Sequence, residues 1–418
     1  MFTKCKQTLP EKIKRPLRPA WNFMRKVRHA TTSLRRHCFI LSATLLCKAE
    51  IRISWTFSSQ PVQNPDRILI VRVDAIGDYM LFRPVLRQLC SLPAFTGKQI
   101  TLCGNAAWQD LAETLDGRIF RHFIPVRRQD FAKGKYRRAL FKSLREIGAS
   151  VALHPTLSRD FMGDALMLAS GAGERIGFDC PPQNITKICK QITNRYYTRL
   201  FTPDPGHPFE LYRNYEFLRH LGWTPEPIRL ERPALPADVA GACSETVRAH
   251  LGCPVFFIGA QHDWRRWPAS SFAALAIEIQ AFCARPAVLA AGNDCAQDAL
   301  HIQNACGPLV RNLVGMTTLT ESAVLAAHAP FVISNDSSGG HIAAAFAIPT
   351  VIISNGQHFG RFHPYPSQLT PRMRTLYPPD FGEDMEENLS RYYWSPSPFS
   401  IGSVSVANVV ESLAQVLR

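Results

Sequence analysis

None of the 12 cysteines forms a C-x-x-C pair, and no Cys/His cluster has zinc spacing. Cysteines scattered singly through a long chain fit a reducing compartment with buried thiols. No run of about 18 apolar residues occurs, which argues against a membrane-spanning helix. Neither G-x-G-x-x-G nor G-x-x-x-x-G-K-[ST] is present, which counts against a dinucleotide dehydrogenase and a P-loop NTPase. G-x-S-x-G is also missing. So is D-x-D, the metal-chelating acid pair of many sugar transferases.

What is present is ordinary in bulk and uneven in charge. The 418 residues have room for about two to three domains. A hydrophobic content of 46% can supply a sizeable core. Net charge is +15, and residues 1–66 hold 13 Lys/Arg against 3 Asp/Glu, so +10 of it sits there. An anionic partner is expected for that extension rather than for the folded body. The basic charge lies outside the α/β body and no aromatic-interleaved basic platform occurs, so nucleic acid is not the expected partner. The short apolar run CFILSATLLC, residues 38–47, is followed by no small-residue cleavage site. It reads either as part of a basic segment lying on an anionic membrane surface or as a loosely packed tail.

Strands alternate with helices along the rest of the chain. β-branched or apolar runs at 68–73, 99–103, 119–126, 150–154 and 174–178 are separated by helical periodicity. Residues 228–238 (IRLERPALPAD) read as a linker. The alternation restarts with runs at 255–260, 287–291, 331–334 and 350–354. Residues 355–400 read as irregular, and 404–417 as an amphipathic helix. The pattern predicts two α/β halves with parallel sheets that share a cleft at their strand ends. The expected boundaries are a basic extension at 1–65, a first Rossmann-like domain at 66–232, a second at 233–400 and a C-terminal helix at 401–418.

Three strings place chemistry at those strand ends. Gly77 and Asp78 follow the first strand and open a helix. Glycine permits close backbone approach. Asp78 is either a helix cap or a carboxylate able to accept a proton from an attacking hydroxyl. The string IGAQHDWRRWP, Ile258–Pro268, brings His262, Arg265 and Arg266 to a helix entry. There a guanidinium suits a phosphate, or simply forms a surface charge pair beside Trp267. The third, NDSSGGHIAAAFAIP, sets Asp336, Ser337, Ser338, Gly339, Gly340 and His341 before a helix expected from Ile342. Loop amides, hydroxyls and a helix start form an anion site; the plainer alternative is a tight turn capped by Asp336 or Ser338.

In this order the strings resemble glycosyltransferase family 9, the lipopolysaccharide heptosyltransferase family. The resemblance rests on ILIVRVDAIGDYMLFRPVL, SVALHPTLSRDFMGDALMLASGAGERIGF, HPFELYRNYEFLRHLG (207–222), GAQHDWRRWP and SNDSSGGHIAAAFAIP, and covers roughly residues 67–355. It implies a GT-B architecture, two Rossmann-like domains facing across a cleft with the donor held mainly by the second. It also implies inverting, metal-independent transfer, with no cofactor, from a nucleotide-diphospho-sugar such as ADP-heptose. The acceptor would be a lipid-linked or lipopolysaccharide-core glycan at the cytoplasmic face of the inner membrane, touched through residues 1–65. By resemblance Asp78 is the general base. Gly77, Arg265, Asp336, Ser337, Ser338, Gly339, Gly340 and His341 line the donor site. Three departures stand out. Arg265 replaces the usual lysine, and Ser338 replaces a glycine. The acid expected near the nucleotide ribose has only Asp294 and Asp298 as candidates. The Ser338 departure motivates the alternative of a catalytically degenerate nucleotide-sugar or glycan-binding protein.

Overall fold

A computed structural model describes residues 18–56, 62–224 and 227–418, with side chains from residue 35 onward. Residues 1–17 and 57–61 of the expected extension lie outside the described residues. Two six-stranded sheets form the frame. The first contains β1 (Asn64–Arg72), β2 (Gln99–Asn105), β3 (His122–Val126), β4 (Ala149–His154), β5 (Glu174–Phe178) and β6 (Arg199–Phe201) in the order β3-β2-β1-β4-β5-β6. The second contains β7 (Val255–Phe257), β8 (Ala287–Ala290), β9 (Val310–Asn312), β10 (Val332–Asn335), β11 (Thr350–Ile353) and β12 (Met373–Leu376) in the order β12-β11-β10-β7-β8-β9. Every pairing is parallel. Counted within each half, both sheets have the doubly wound Rossmann order, which reverses direction between the first and fourth strands. This is the α/β architecture that the resemblance implies.

The central strands are apolar because helices cover both faces. Ile68, Leu69, Ile70 and Val71 of β1 are fully buried, as are Val332 and Ile333 of β10. The three strands not predicted from sequence, β6, β9 and β12, are all sheet edges. Edge strands are short and carry polar residues, here Arg199, Arg311 and Arg374, so their apolar signal is weak. β12 lies in the stretch expected to be irregular. The 228–238 linker has no helix or strand up to Asp238, and the carbonyl of Glu231 accepts from Arg83 (3.1 Å). One apolar cluster runs from helix Ile76–Ser91 into helices Leu319–Ala327 and Ser338–Ala345, joining the halves. The C-terminal helix, Val406–Leu417, buries Val409, Leu413 and Val416 in the core of the second half.

The N-terminal extension corrects one expectation. Arg18–Thr56 is a single helix, not a loose tail. Ile40, Thr44, Cys47 and Ile51 bury one face of it against helices Gly134–Glu146, Phe161–Ala169 and Lys187–Asn194. Glu50 accepts two bonds from Arg137, at 2.6 and 2.9 Å. The helix therefore lies over the helical layer that covers one face of the first sheet.

Candidate active site

In a doubly wound sheet the loops leaving the two strands beside the reversal diverge and open a crevice. Here the two crevices face each other. The loops after β1, β4, β7, β8 and β10 line one cavity of about 1210 Å³.

The first half contributes a carboxylate cluster organised by Arg72. Arg72 is fully buried at the end of β1. Its Nε pairs with Asp74 (2.8 Å), and Nη1 donates to the Asn214 side chain (2.7 Å) and the Pro155 carbonyl (3.2 Å). Asn214 in turn donates to the Leu81 carbonyl (3.2 Å), which ties the HPFELYRNYEFLRHLG string to helix Ile76–Ser91. Asp78 sits in the first turn of that helix, where one oxygen accepts from the Ala75 amide (3.3 Å). The same side chain lines the cavity, so capping and facing the cleft coexist. Burial, and then the nearby Glu210 carboxylate, push the Asp78 carboxyl above the ordinary carboxylate range; Arg361 and Arg72 oppose this. Asp74 is pushed up to about 7, by burial first, with Arg72 opposing and Asp78 adding to the rise. A carboxylate destabilised in this way is a stronger proton acceptor than one in water.

The second half presents positive groups. Asn335 at the end of β10 joins two strings. Its side chain accepts from the Trp267 amide (3.0 Å) and donates to the Ile258 carbonyl (2.7 Å). This holds the loop carrying Arg265 beside Asp336. Arg265 bonds the Asp336 carboxylate (2.8 Å) and its backbone carbonyl (2.7 Å), and also lines the cavity. His363 (3.1 Å) and Ser354 (2.9 Å) complete the carboxylate's shell. Burial alone would raise this carboxyl, but Arg265 and His363 hold it well below the usual range. Asp336 is therefore a buried anchor for Arg265 and His363.

The helix after β10 begins at Ser338, four residues earlier than expected, so Gly339, Gly340 and His341 lie inside it. Ser337 is its N-cap by position but makes no side-chain capping bond. Ser337, Ser338 and Gly339 at its N-terminus line the cavity. A Cβ on Gly339 would overlap the Phe257 ring, and one on Gly340 would come within 2.8 Å of Ile352, so these glycines let the helix lie close to the sheet. Ser338 has no such constraint. The only non-glycine residues with positive φ among those described are Ala347 and His358, so serine fits there without backbone strain. His341 bonds the Tyr365 hydroxyl (2.6 Å) and stacks on His363 at 4.9 Å. Burial and the neighbouring His363 push it down to about 3, so it is neutral at pH 7.

The cavity thus gathers Gly77, Asp78, Arg265, Asp336, Ser337, Ser338, Gly339 and His341, whereas Gly340 faces the sheet. Gly77 meets His341 across the cleft, where an added Cβ would be 2.5 Å from the imidazole. Asp294 lines the cavity and is paired with Arg266; Asp298 does not line it. Sequence reading missed Arg361, which lies in the supposedly irregular segment. It spans the cleft to Glu210 (2.9 Å) and Ser158 (2.9 Å) and stacks over Phe362 and Trp394. The signal was available in HPFE at 207–210 and GRFH at 360–363, charged residues set between aromatics. Asp74 was missed as well, although it lies four residues before Asp78. Among the described residues no group of three or more His, Cys, Asp or Glu is placed to hold a metal ion.

Residues 236–386 match the family model described as glycosyltransferase family 9 (heptosyltransferase). The fold is shared with the glycosyl transferase family 9 protein from Veillonella parvula DSM 2008, at 17% identity over 86% of this chain and 99% of that one, with a TM-score of 0.66. It is also shared with the E. coli ADP-heptose lps heptosyltransferase II, at 18% identity over 84% and 98%, TM-score 0.61. A third similar structure is an E. coli heptosyltransferase with ADP, at 16% identity over 84% and 99%, TM-score 0.61. No curated protein matches the chain in sequence. The family match falls on the half that supplies Arg265 and the Ser338 helix, and the two-sheet frame of the whole chain is common to these structures; residues 236–386 are similar to glycosyltransferase family 9, and the fold is that of the heptosyltransferases.

Proposed function

We propose that the enzyme transfers a sugar, with inversion and without a metal, from a nucleotide-diphospho-sugar to a lipopolysaccharide-core or other surface-glycan acceptor. ADP-heptose is the leading donor, since one similar structure is named an ADP-heptose heptosyltransferase and others are described with ADP or ADP-2-deoxy-2-fluoro heptose. The observation that carries the reading is the polarity of the cleft: a raised carboxylate, Asp78, on one wall and Arg265 beside a helix N-terminus on the other.

In this reading Asp78 takes the proton from the acceptor hydroxyl as that oxygen attacks the anomeric carbon. The bond to the diphosphate breaks on the opposite face. Arg265 and the amides at Ser338–Gly339 receive the charge that develops on the leaving group. Neutral His341 serves as a hydrogen-bond partner rather than a cation. Arg361 and Glu210 hold the walls together beside the base. Ser338 adds a hydroxyl to the diphosphate side. The acceptor is held at the inner-membrane surface, which residues 1–65 contact, so the enzyme works from the cytoplasmic face.

A donor screen tests this. The purified full chain is incubated with a panel of nucleotide-diphospho-sugars and a lipopolysaccharide-core acceptor in chelator. Product from one donor, with inverted anomeric configuration, is the expected result. Donor binding without transfer or hydrolysis for any pair would favour a degenerate binding protein instead.

A further inference from the structure

The face of the N-terminal helix turned away from the protein is unusual for a charged extension. Phe39, Leu46 and Ile53 follow one another at steps of seven and are 63%, 49% and 59% exposed, with Leu45 beside them at 48%. Residues seven apart fall on one side of a helix, so they form a line of exposed apolar side chains. The small residues Ser42 and Ala49 lie between them and are exposed. The acid in this stretch, Glu50, is turned to Arg137 and Arg138. Arg35 and Arg52 are exposed near the two ends of the stripe. Arg138 and Lys142, on the helix packed beside it, have side chains 60% and 74% exposed. Among the described residues no helix is long and apolar enough to cross a membrane.

An apolar stripe bordered by cations fits the boundary between acyl chains and anionic headgroups: the hydrocarbon side chains enter the boundary and the guanidinium and ammonium groups meet lipid phosphates. A second copy of this chain would bring the same cations against each other, so charge favours the lipid. We infer that this face is a membrane seat that places the enzyme on an anionic bilayer with the acceptor side of the cleft at the lipid surface. Arg36, one residue after Arg35, donates to the Gln183 carbonyl (3.5 Å) and lines the catalytic cavity. The helix thus runs from the stripe to the cleft rim. A headgroup-anchored acceptor would reach Asp78 without leaving the bilayer. This last step rests on the proposed membrane-held acceptor; the seat itself does not.

The test is co-sedimentation of the full chain with phosphatidylcholine vesicles, with or without phosphatidylglycerol, in the absence of any sugar substrate. Wild type is expected on the anionic vesicles and at least about tenfold more weakly on the neutral ones. Phe39→Ser/Leu46→Ser/Ile53→Ser should lose at least about tenfold in affinity for the anionic vesicles. Phe39 also touches Phe161 edge-on (6.2 Å), so Leu46→Ser/Ile53→Ser is the second variant, expected to weaken binding with an unchanged melting temperature. ADP binding by both variants should match wild type, which separates loss of the seat from damage to the cleft. Equal vesicle binding by wild type and both variants would overturn the inference. So would no vesicle binding by wild type, or a dimer by light scattering that the substitutions dissolve. If vesicles bind as expected while no donor supports transfer, the functional reading fails and the seat stands.

Discussion

The two halves repeat one strand order, but their switch points bring opposite chemistry to the cleft. After β1 come Asp74 and Asp78, with Glu210 close behind, in surroundings that raise the first two carboxyls. After β10 comes another aspartate, Asp336, whose carboxyl is held far below its ordinary value by Arg265 and His363. Asp336 is buried while Asp74 and Asp78 are half-buried, so burial alone would raise Asp336 at least as much as the other two. The difference is in their neighbours. In the first half Arg72 and Arg361 are shared among several carboxylates. In the second half one carboxylate takes an arginine, a histidine and a hydroxyl. The shared topology fixes where the loops converge, and loop composition decides whether a carboxylate is raised toward proton uptake or held ionised as an anchor.

The largest effect should come from disturbing the anchor. Asp336→Asn leaves Arg265 and His363 beside a neutral amide and should cost about 3 kcal/mol of stability, read as a lower urea midpoint. Because its folded value is depressed, the contribution is present above the unfolded pKa, near 3.8, and is lost only as pH falls toward the folded value. The difference between wild type and variant should therefore shrink in strong acid; a constant difference would make the role one of packing. Arg265→Ala should weaken ADP binding roughly ten- to hundredfold by calorimetry, with Arg265→Lys recovering part of it. Unchanged affinity would remove the cation from the donor wall.

On the other wall the expected change is in pH dependence. In the proposed role Asp78 acts only when deprotonated, so transfer should fall as pH drops through its raised pKa. Glu210→Gln removes a like charge and frees Arg361 to face Asp78, and both changes lower that pKa. The acid limb of the rate profile should move to lower pH; a limb that stays in place would deny the coupling. Ser338→Gly should do least. Its backbone needs no glycine conformation, so stability should change by under about 1 kcal/mol and ADP affinity by about threefold or less. A larger loss would make the hydroxyl a specific donor contact.

Much of this contrast was legible in the sequence. The central strands were visible as apolar runs because both faces are covered, and Asp78, Arg265 and the 336–341 string stood out because they follow such runs directly. What escaped had a physical reason. β6, β9 and β12 are short edges without a strong apolar signal. Arg361 and His363 act through contacts with residues 151 and 27 positions away in the chain, which no local pattern records. The helix before Ala343–Ala345 starts early because Gly339 and Gly340 pack against Phe257 and Ile352, a tertiary contact that outweighs glycine's low helix propensity. The N-terminal helix was hidden by its charge. Its buried face uses only every third or fourth residue, and its apolar outer stripe blurs the usual two-sided pattern.

The central claim is that the two walls divide the labour, with the base on one and the donor on the other. Asp78→Asn tests it most directly when the single-turnover rate at saturating donor is measured with ADP affinity determined on the same protein. The account predicts a rate reduced by about two orders of magnitude or more with ADP affinity changed less than about twofold. Near-normal turnover in the folded variant, or a loss of ADP binding that matches the loss of rate, would contradict it.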